Sequence, residues 1–339
     1  MKKRLHIYLL IVFTGVKCIS FAQDIHFSQF SMSPLNLNPA FSGFFDGDYR
    51  GAANYRSQWR SVPVSYSTFS FSADMNTDMK HTLKGRLGLG LLFNNDVAGD
   101  SKYGTNQISV PISYIHMLSP DSNFFLSVGV QPGISSVGFQ TSKLTFDSQW
   151  DGDAYNPALS NGENFPLMKR TYFDCGTGMA LQYRIKQRSA VTLALGLSHL
   201  NTPKISYFKN EDIQLDPKFS TYLSYTYPVA PQVDFSAEYL FEKQGTYKEN
   251  IFGVKAGFNF PTEVKQSVNA GFYLRAKDAL ITRIGYDFKN WQFGMSYDIN
   301  TSAFKAATNR KGAIEFGLIC IIQKPRQFVP KQRPCPVYM

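Results

Sequence analysis

Long apolar runs are missing from this chain of 339 residues. A membrane-spanning helix needs about 20 consecutive apolar residues, and the sequence supplies no such stretch, in keeping with a mean hydropathy of -0.22. A helical membrane protein is therefore excluded. Charge is scarce as well: Asp, Glu, Lys and Arg together make up 18% of the residues, fewer than a soluble surface usually carries. Cysteine is limited to four residues, Cys18, Cys175, Cys320 and Cys335. The first lies in a leader-like segment, and the odd number remaining argues against a disulfide framework. No Pro/Gly-rich linker divides the chain, although its length exceeds what one ordinary core serves. Chemical motifs are equally sparse. His26, His81, His116 and His199 are scattered, no Cys pair has zinc spacing, and no phosphate loop or dinucleotide fingerprint occurs. Gly196-Leu197-Ser198-His199-Leu200 resembles a nucleophile elbow only until its last position, where the tight turn requires Gly. Lys and Arg are spread over the chain instead of forming a basic face, which argues against nucleic acid as a partner. An enzyme, a metalloprotein and a cofactor carrier all lack a sequence basis.

What the chain does have is alternation. Trp291, Phe293, Met295, Tyr297 and Ile299 interleave with Gln292, Gly294, Ser296, Asp298 and Asn300, which in a strand puts one set on each face. Val191, Leu193, Leu195 and Leu197 share a face, as do Val233, Phe235, Ala237, Tyr239 and Phe241. Opposite them lie small or polar residues. Asn54, Arg56, Gln58 and Arg60 are expected to point one way and Ala53, Tyr55 and Trp59 the other; Asp234, Glu238 and Glu242 behave like the first set. A charge facing lipid costs about 2 to 4 kcal/mol near the midplane, so these charges belong in a lumen. Arg283 and Asp287 are expected to satisfy one another there. With aromatics at 15%, the pattern predicts an all-β fold, a transmembrane antiparallel β-barrel with lipid outside and water inside.

Strands are expected at 48–60, 64–74, 85–95, 104–117, 122–139, 171–184, 188–201, 218–228, 232–243, 247–260, 266–276, 279–288, 290–300 and 311–323, about fourteen in all. Placing both barrel ends in the periplasm puts the brief connections at 118–121, 185–187, 229–231 and 261–265 on one side and the long ones at 140–170, 202–217 and 301–310 on the other. The stretch 75–84 is an exception. Pro111 and Pro132 interrupt expected strands and suggest bulges.

Four regions follow. Residues 1–22 read as a signal peptide, since Lys2, Lys3 and Arg4 precede an apolar run to Val16, and Ser20-Phe21-Ala22 supplies small residues for cleavage. Lys17 before Cys18 spoils the pattern that lipidation needs. Losing this segment lowers the formal charge from +10 to +6. Residues 23–46 form an almost uncharged segment ahead of the barrel, 47–323 the outer-membrane barrel, and 324–339 a basic, Pro-rich tail.

Both ends of the chain resemble a known family. Gln23-Asp24-Ile25-His26-Phe27-Ser28-Gln29-Phe30, then Pro34-Leu35-Asn36-Leu37-Asn38-Pro39-Ala40 to Gly43, then Asn54-Tyr55-Arg56-Ser57-Gln58-Trp59 look like the opening of the PorP/SprF family. Ile284-Gly285-Tyr286-Asp287-Phe288-Lys289, Ser296-Tyr297-Asp298-Ile299-Asn300, Gly312-Ala313-Ile314-Glu315-Phe316 and the late Cys335-Pro336 resemble its closing strands and Cys-Pro ending. Val337-Tyr338-Met339 departs from the Arg-Phe expected after that ending. The resemblance implies an outer-membrane protein of the type IX secretion and gliding machinery of Bacteroidetes. It also implies a non-enzymatic role in secretion or surface attachment of a cargo protein such as a gliding adhesin, alongside periplasmic ring or lipoprotein components.

Candidate partner-binding residues are read from composition. His26, Phe27, Phe30, Pro34, Asn38 and Pro39 lie in the segment ahead of the barrel, which is expected either to plug it, to dock a periplasmic partner, or to pack on the lower lumen wall. Trp150 and Tyr155 lie in the longest loop, the first place to look for cargo contact. Cys335 and Pro336 lie in a tail that proline keeps extended. Asp147, Asp151 and Asp153 offer oxygen for calcium but lack EF-hand spacing, so solvated loop acids are the plainer reading. No cofactor is expected. A passive porin is the alternative function, and a lipase acting through Ser198 and His199 a second rival.

Overall fold

The computed structural model describes residues 24–324 except 63, 79–84, 120–122, 142–143, 164–166, 208–212 and 304. The expected signal peptide and the Cys335-Pro336 ending lie outside the described residues. Fifteen strand segments run β1 (Tyr49–Gln58), β2 (Tyr66–Asp78), β3 (Gly85–Ala98), β4 (Tyr103–Ser109), β5 (Ile112–Met117), β6 (Phe124–Gly138), β7 (Lys169–Lys186), β8 (Ser189–Ser198), β9 (Lys218–Ala230), β10 (Val233–Gln244), β11 (Tyr247–Asn259), β12 (Gln266–Arg275), β13 (Ala279–Phe288), β14 (Trp291–Asn300) and β15 (Lys311–Ile322). β4 and β5 are two halves of one stave, because both pair with β3 on one side and with β6 on the other. β1 pairs with β15 and β2 with β3, so the ring closes as fourteen antiparallel staves. Among the described residues, no helix is long and apolar enough to cross a membrane; the strands do the crossing.

Alternation sets the two surfaces. Leu193, Phe235 and Phe293 remain 37%, 40% and 47% exposed on the outer wall, whereas Asn54, Arg56, Ser296, Asp298 and Glu315 are buried within. A soluble body with a dry core would reverse that segregation. At the short-turn end the wall carries an aromatic girdle: Tyr286 stacks on Phe288 and Trp291 on Phe293. Lys186 and Lys289 lie over the Tyr227 and Phe288 rings at 4.7 and 5.3 Å. Amphipathic rings and snorkelling lysines suit a membrane–water boundary. The connections at this end are brief, and Arg188 and Lys289 adopt the positive φ values of 64° and 53° that tight hairpins demand. Long connections gather at the other end, which outer-membrane barrels turn outward.

Three details differ from the sequence reading. Neither proline makes a bulge: Ser109 pairs with Leu92 and Ile112 with Leu89, one register on both sides of Pro111, and Pro132 faces Cys175 within an unbroken ladder. Val110 donates to the Pro132 carbonyl at 2.9 Å, so the two missing N–H donors fall side by side at the single break between β4 and β5. Register shifts occur instead near Arg184, Val233 and Asp298. Trp59 does not face lipid, because β1 ends at Gln58 and a φ of 54° turns the indole toward the outer mouth of the lumen; Arg60 is exposed beyond it. Arg283 and Asp287 do not meet. Arg283 donates to Gln29 and Asp287 accepts from Ser267, since residues four apart on one strand are too far separated to touch.

Candidate functional site: a filled lumen below an outer vestibule

Residues 24–48 run down the inside of the barrel, from the long-loop end to the first residue of β1. This segment has no repeating pattern of its own; short helical turns at Phe30–Met32, Pro34–Leu37 and Pro39–Phe41 compact it, with proline at the start of the last two, where a missing N–H costs nothing.

At the outer end Asp24 receives the Lys218 ammonium at 2.7 Å and the His199 Nε2 at 3.3 Å, while His199 Nδ1 meets Asp174 at 2.9 Å. Burial by itself works against a charged imidazole, but the hydrogen bonds and charges of Asp174 and Asp24 outweigh it and raise His199 to about 9. Burial likewise works against the Asp24 carboxylate, and Lys218 with His199 overrides it, holding the group well below the usual carboxylate range. Both ring nitrogens of His199 thus face carboxylates, which leaves no free base beside Ser198. Half-buried His26 is pushed down to about 4 by burial, with Arg56 and Arg275 adding to the effect, and is neutral.

One turn further in, a buried ion network grips the backbone. Glu315 accepts from the Ser28 and Gln29 amides at 2.8 and 2.9 Å. Ser28 Oγ donates to Asp298 at 2.7 Å and accepts from Arg56 and Arg275 at 2.6 and 2.9 Å. Arg275 also pairs with Glu249 at 2.6 Å. Two arginines stand against three carboxylates, and backbone N–H groups take both oxygens of Glu315, the pairing that buried charge requires.

Below this the contacts become apolar. Phe30 meets Tyr222 and Tyr273 edge-on at 5.9 and 6.0 Å, and Phe41 meets Tyr222 at 5.9 Å; Leu37, Ala40, Leu240, Ile251 and Ile281 complete one buried cluster. Wall carbonyls and hydroxyls satisfy the polar atoms: Asn38 donates to the Leu195 carbonyl at 2.8 Å, Ser127 to the Ala40 carbonyl at 2.6 Å, and Ser42 to the Pro111 carbonyl at 3.2 Å. The wall thins to let the segment through. A Cβ on Gly129 would lie 2.6 Å from Ala40 N and Pro39 C, so only glycine fits. At the periplasmic end Asp74 takes the Gly43 amide at 2.7 Å and a bidentate grip from Arg50.

Six of the candidate residues therefore lie inside: Phe27, Phe30, Pro34, Asn38 and Pro39 are buried and His26 half-buried. Their neighbours are the walls of their own barrel, the arrangement that the plug and lumen-wall alternatives describe. Trp150 and Tyr155 form a small bridge in the long loop and stay 58% and 42% exposed. Asp151 is occupied by the Asp153 and Ala154 amides at 3.1 and 2.9 Å, and among the described residues no three acidic, His or Cys side chains converge on a metal position. Composition alone missed Asp24, Lys218, Arg275, Asp298 and Glu315. Their common signal was a charge on the inward face of a strand, or next to one.

Above the segment the lumen opens outward into a vestibule of about 440 Å³ lined by Trp59, Tyr66, Asp96, Tyr103, Tyr172 and Leu215 among others. The model of the family described as type IX secretion system membrane protein PorP/SprF matches residues 19–319. The chain belongs to that family. The PorP/SprF chain is an outer-membrane β-barrel, and its solved structural neighbours are outer-membrane channels. The toluene transporter TbuX of Ralstonia pickettii is 11% identical, with a TM-score of 0.49 over 85% of this chain and 92% of that one. The CymD monoaromatic hydrocarbon channel is 10% identical, with a TM-score of 0.48 over 92% and 97%. A Pseudomonas aeruginosa FadL homologue is 11% identical, with a TM-score of 0.47 over 83% and 90%. No curated protein sequence matches the PorP/SprF chain.

Proposed function

We propose that this PorP/SprF barrel supports secretion or surface attachment of a particular type IX cargo protein, such as an adhesin, by protein contact and without catalysis. The outer loops, Trp150 and Tyr155 included, face the cargo or translocon. The periplasmic rim and the tail bearing Cys335 and Pro336 face ring or lipoprotein components. The observation that carries this reading is the filled lumen: an inner segment held by buried ion pairs and an aromatic cluster speaks for a scaffold over a passive solute channel. His199, with both nitrogens engaged, speaks against a lipase. The test is deletion of the gene and comparison of surface adhesin with the complemented strain, together with co-purification. Loss of one cargo from the surface and its recovery with the tagged barrel is expected. Unchanged cargo display, with a steady open current from the purified protein, returns the assignment to a channel.

A further inference from the structure

The outer vestibule contains a carboxylate to which no described residue supplies a counter-ion. Asp96 projects from the outer end of β3, half-buried, and its Oδ1 accepts from Thr68 Oγ1 at 2.5 Å. Elsewhere in the lumen the buried acids have cations beside them: Asp74 has Arg50, Asp298 and Glu315 have Arg56, Glu249 has Arg275, and Asp24 has Lys218. Among the described residues no Lys, Arg or His lies within ion-pair distance of Asp96. The rest of its surroundings are chosen for a cation too. Trp59, Tyr66, Tyr103 and Tyr172 line the same cavity, and aromatic faces attract ammonium and guanidinium groups, more strongly as the site is desolvated. The positive group in the lining, His199, is already taken by Asp24 and Asp174, so it neither fills the role nor repels an incoming cation at full strength. Gln58 and Gln107, which also line the space, offer amide partners to a peptide backbone. A cavity of about 440 Å³ exceeds a single lysine side chain and leaves room for flanking backbone.

We propose that the vestibule is a receptor for a lysine or arginine side chain carried on an extended peptide segment that enters from outside the cell, with Asp96 as its counter-ion and the aromatic rings as its walls. The inference rests on the reading that the outer face meets a protein, and adds to it the chemistry of the segment recognised. The site acts by holding its ligand; no bond is made or broken.

The experiment uses the full chain purified in detergent micelles and three probes: acetyl-Gly-Lys-Gly-amide, acetyl-Gly-Arg-Gly-amide and acetyl-Gly-Gln-Gly-amide, followed by calorimetry and saturation-transfer NMR. Lysine and arginine peptides are expected to bind saturably and at least about tenfold tighter than the glutamine peptide, a difference of about 1.4 kcal/mol. Asp96→Asn abolishes that preference while keeping the heat-modifiable gel mobility of a folded barrel. Tyr103→Leu, at the rim, weakens both cationic peptides several-fold and keeps their preference over glutamine. Equal affinity for the glutamine peptide, a preference that survives Asp96→Asn, or saturable binding of neutral chitotriose that matches the lysine peptide would each overturn the proposal, as would absence of saturable binding by the cationic peptides. Cargo display in the deletion strain is read independently: its failure with peptide binding intact falls on the secretion reading, and lost peptide preference with display intact falls on the vestibule alone.

Discussion

Asp24 fastens the top of the inner segment, and its strength depends on the charge of its partners. His199 is raised to about 9 from an ordinary 6.5, so it holds a proton in the folded protein that it would release when unfolded near neutrality. Its contribution is complete below about pH 6.5 and lost as pH climbs through about 9. Asp24 is depressed, so its contribution is present above the usual carboxylate range and lost as pH falls through it. His26, pushed down to about 4, penalises the folded state as pH drops from about 6.5 toward that value, because the unfolded chain then binds a proton the folded one refuses. The three together place maximal retention of the segment near pH 6.5. The temperature at which the purified barrel loses its folded gel mobility is expected to fall between about pH 6.5 and pH 9, and His199→Gln removes most of that fall. Arg56 gives a second prediction. It is 1% exposed and faces Asp298 and Glu315 at 3.1 and 3.5 Å; Asp298 also has Arg275 at 3.1 Å, so Arg56→Ala strands the buried Glu315 and costs about 3 to 5 kcal/mol in urea unfolding. Adding Glu315→Gln recovers part of the loss, because the uncompensated charge and not the missing side-chain volume dominates.

The strands were legible because a period of two has only one meaning when charge is absent from one face. Leu193 lies at mid-strand in β8 on that face and Trp291 at the first residue of β14. Leu193→Arg is expected to destabilise by about 2 to 4 kcal/mol, and Trp291→Arg by about 0 to 1, since the cost of a charge falls with distance from the bilayer midplane; titration in lipid vesicles distinguishes the two. Strand ends were less legible. β7 begins at Lys169 and ends at Lys186, beyond its alternating apolar core, because hairpin hydrogen bonds carry the ladder past the last lipid-facing residue. The prolines misled for a related reason: a proline predicts a missing donor, but not that two of them share one gap. Least legible was the inner segment. Ser28 meets Glu315 across 287 positions of sequence, and its partners come from many strands, each giving one inward residue. No local periodicity encodes such a set. The available signal was chemical: inward charges on β1, β11, β12, β14 and β15 with no water-filled purpose assigned, and a long uncharged segment that had to be buried somewhere.

Removing that segment decides what kind of object the barrel is. A ring of fourteen staves lies between small barrels filled by side chains and open porins of 16 or more strands, so its own walls do not fill it; the polypeptide from Asp24 to Asp48 does. Deleting residues 24–46 leaves the β1 to β15 closure intact and exposes Arg50, Arg56, Arg275, Arg283 and Lys218 to water together with Asp74, Asp174, Asp298, Glu315, Glu249, Glu238 and Glu242. Acids then outnumber bases along the bore, so the deleted barrel is expected to conduct in planar bilayers with a modest preference for cations. The full chain is expected to stay silent. Gly129→Val is the gentler version: its Cβ would press on Ala40 and Pro39 backbone from the wall, shifting the segment without shortening it, and brief openings between long closures are expected. Equal conductance from the full chain and the deleted one would mean that the segment lines a pore and does not seal it, and the case for a scaffold over a channel would lose its main support. Silence in the full chain with current in both variants identifies the inner segment as the seal, which an outer-membrane barrel of this bore needs if the envelope is not to leak.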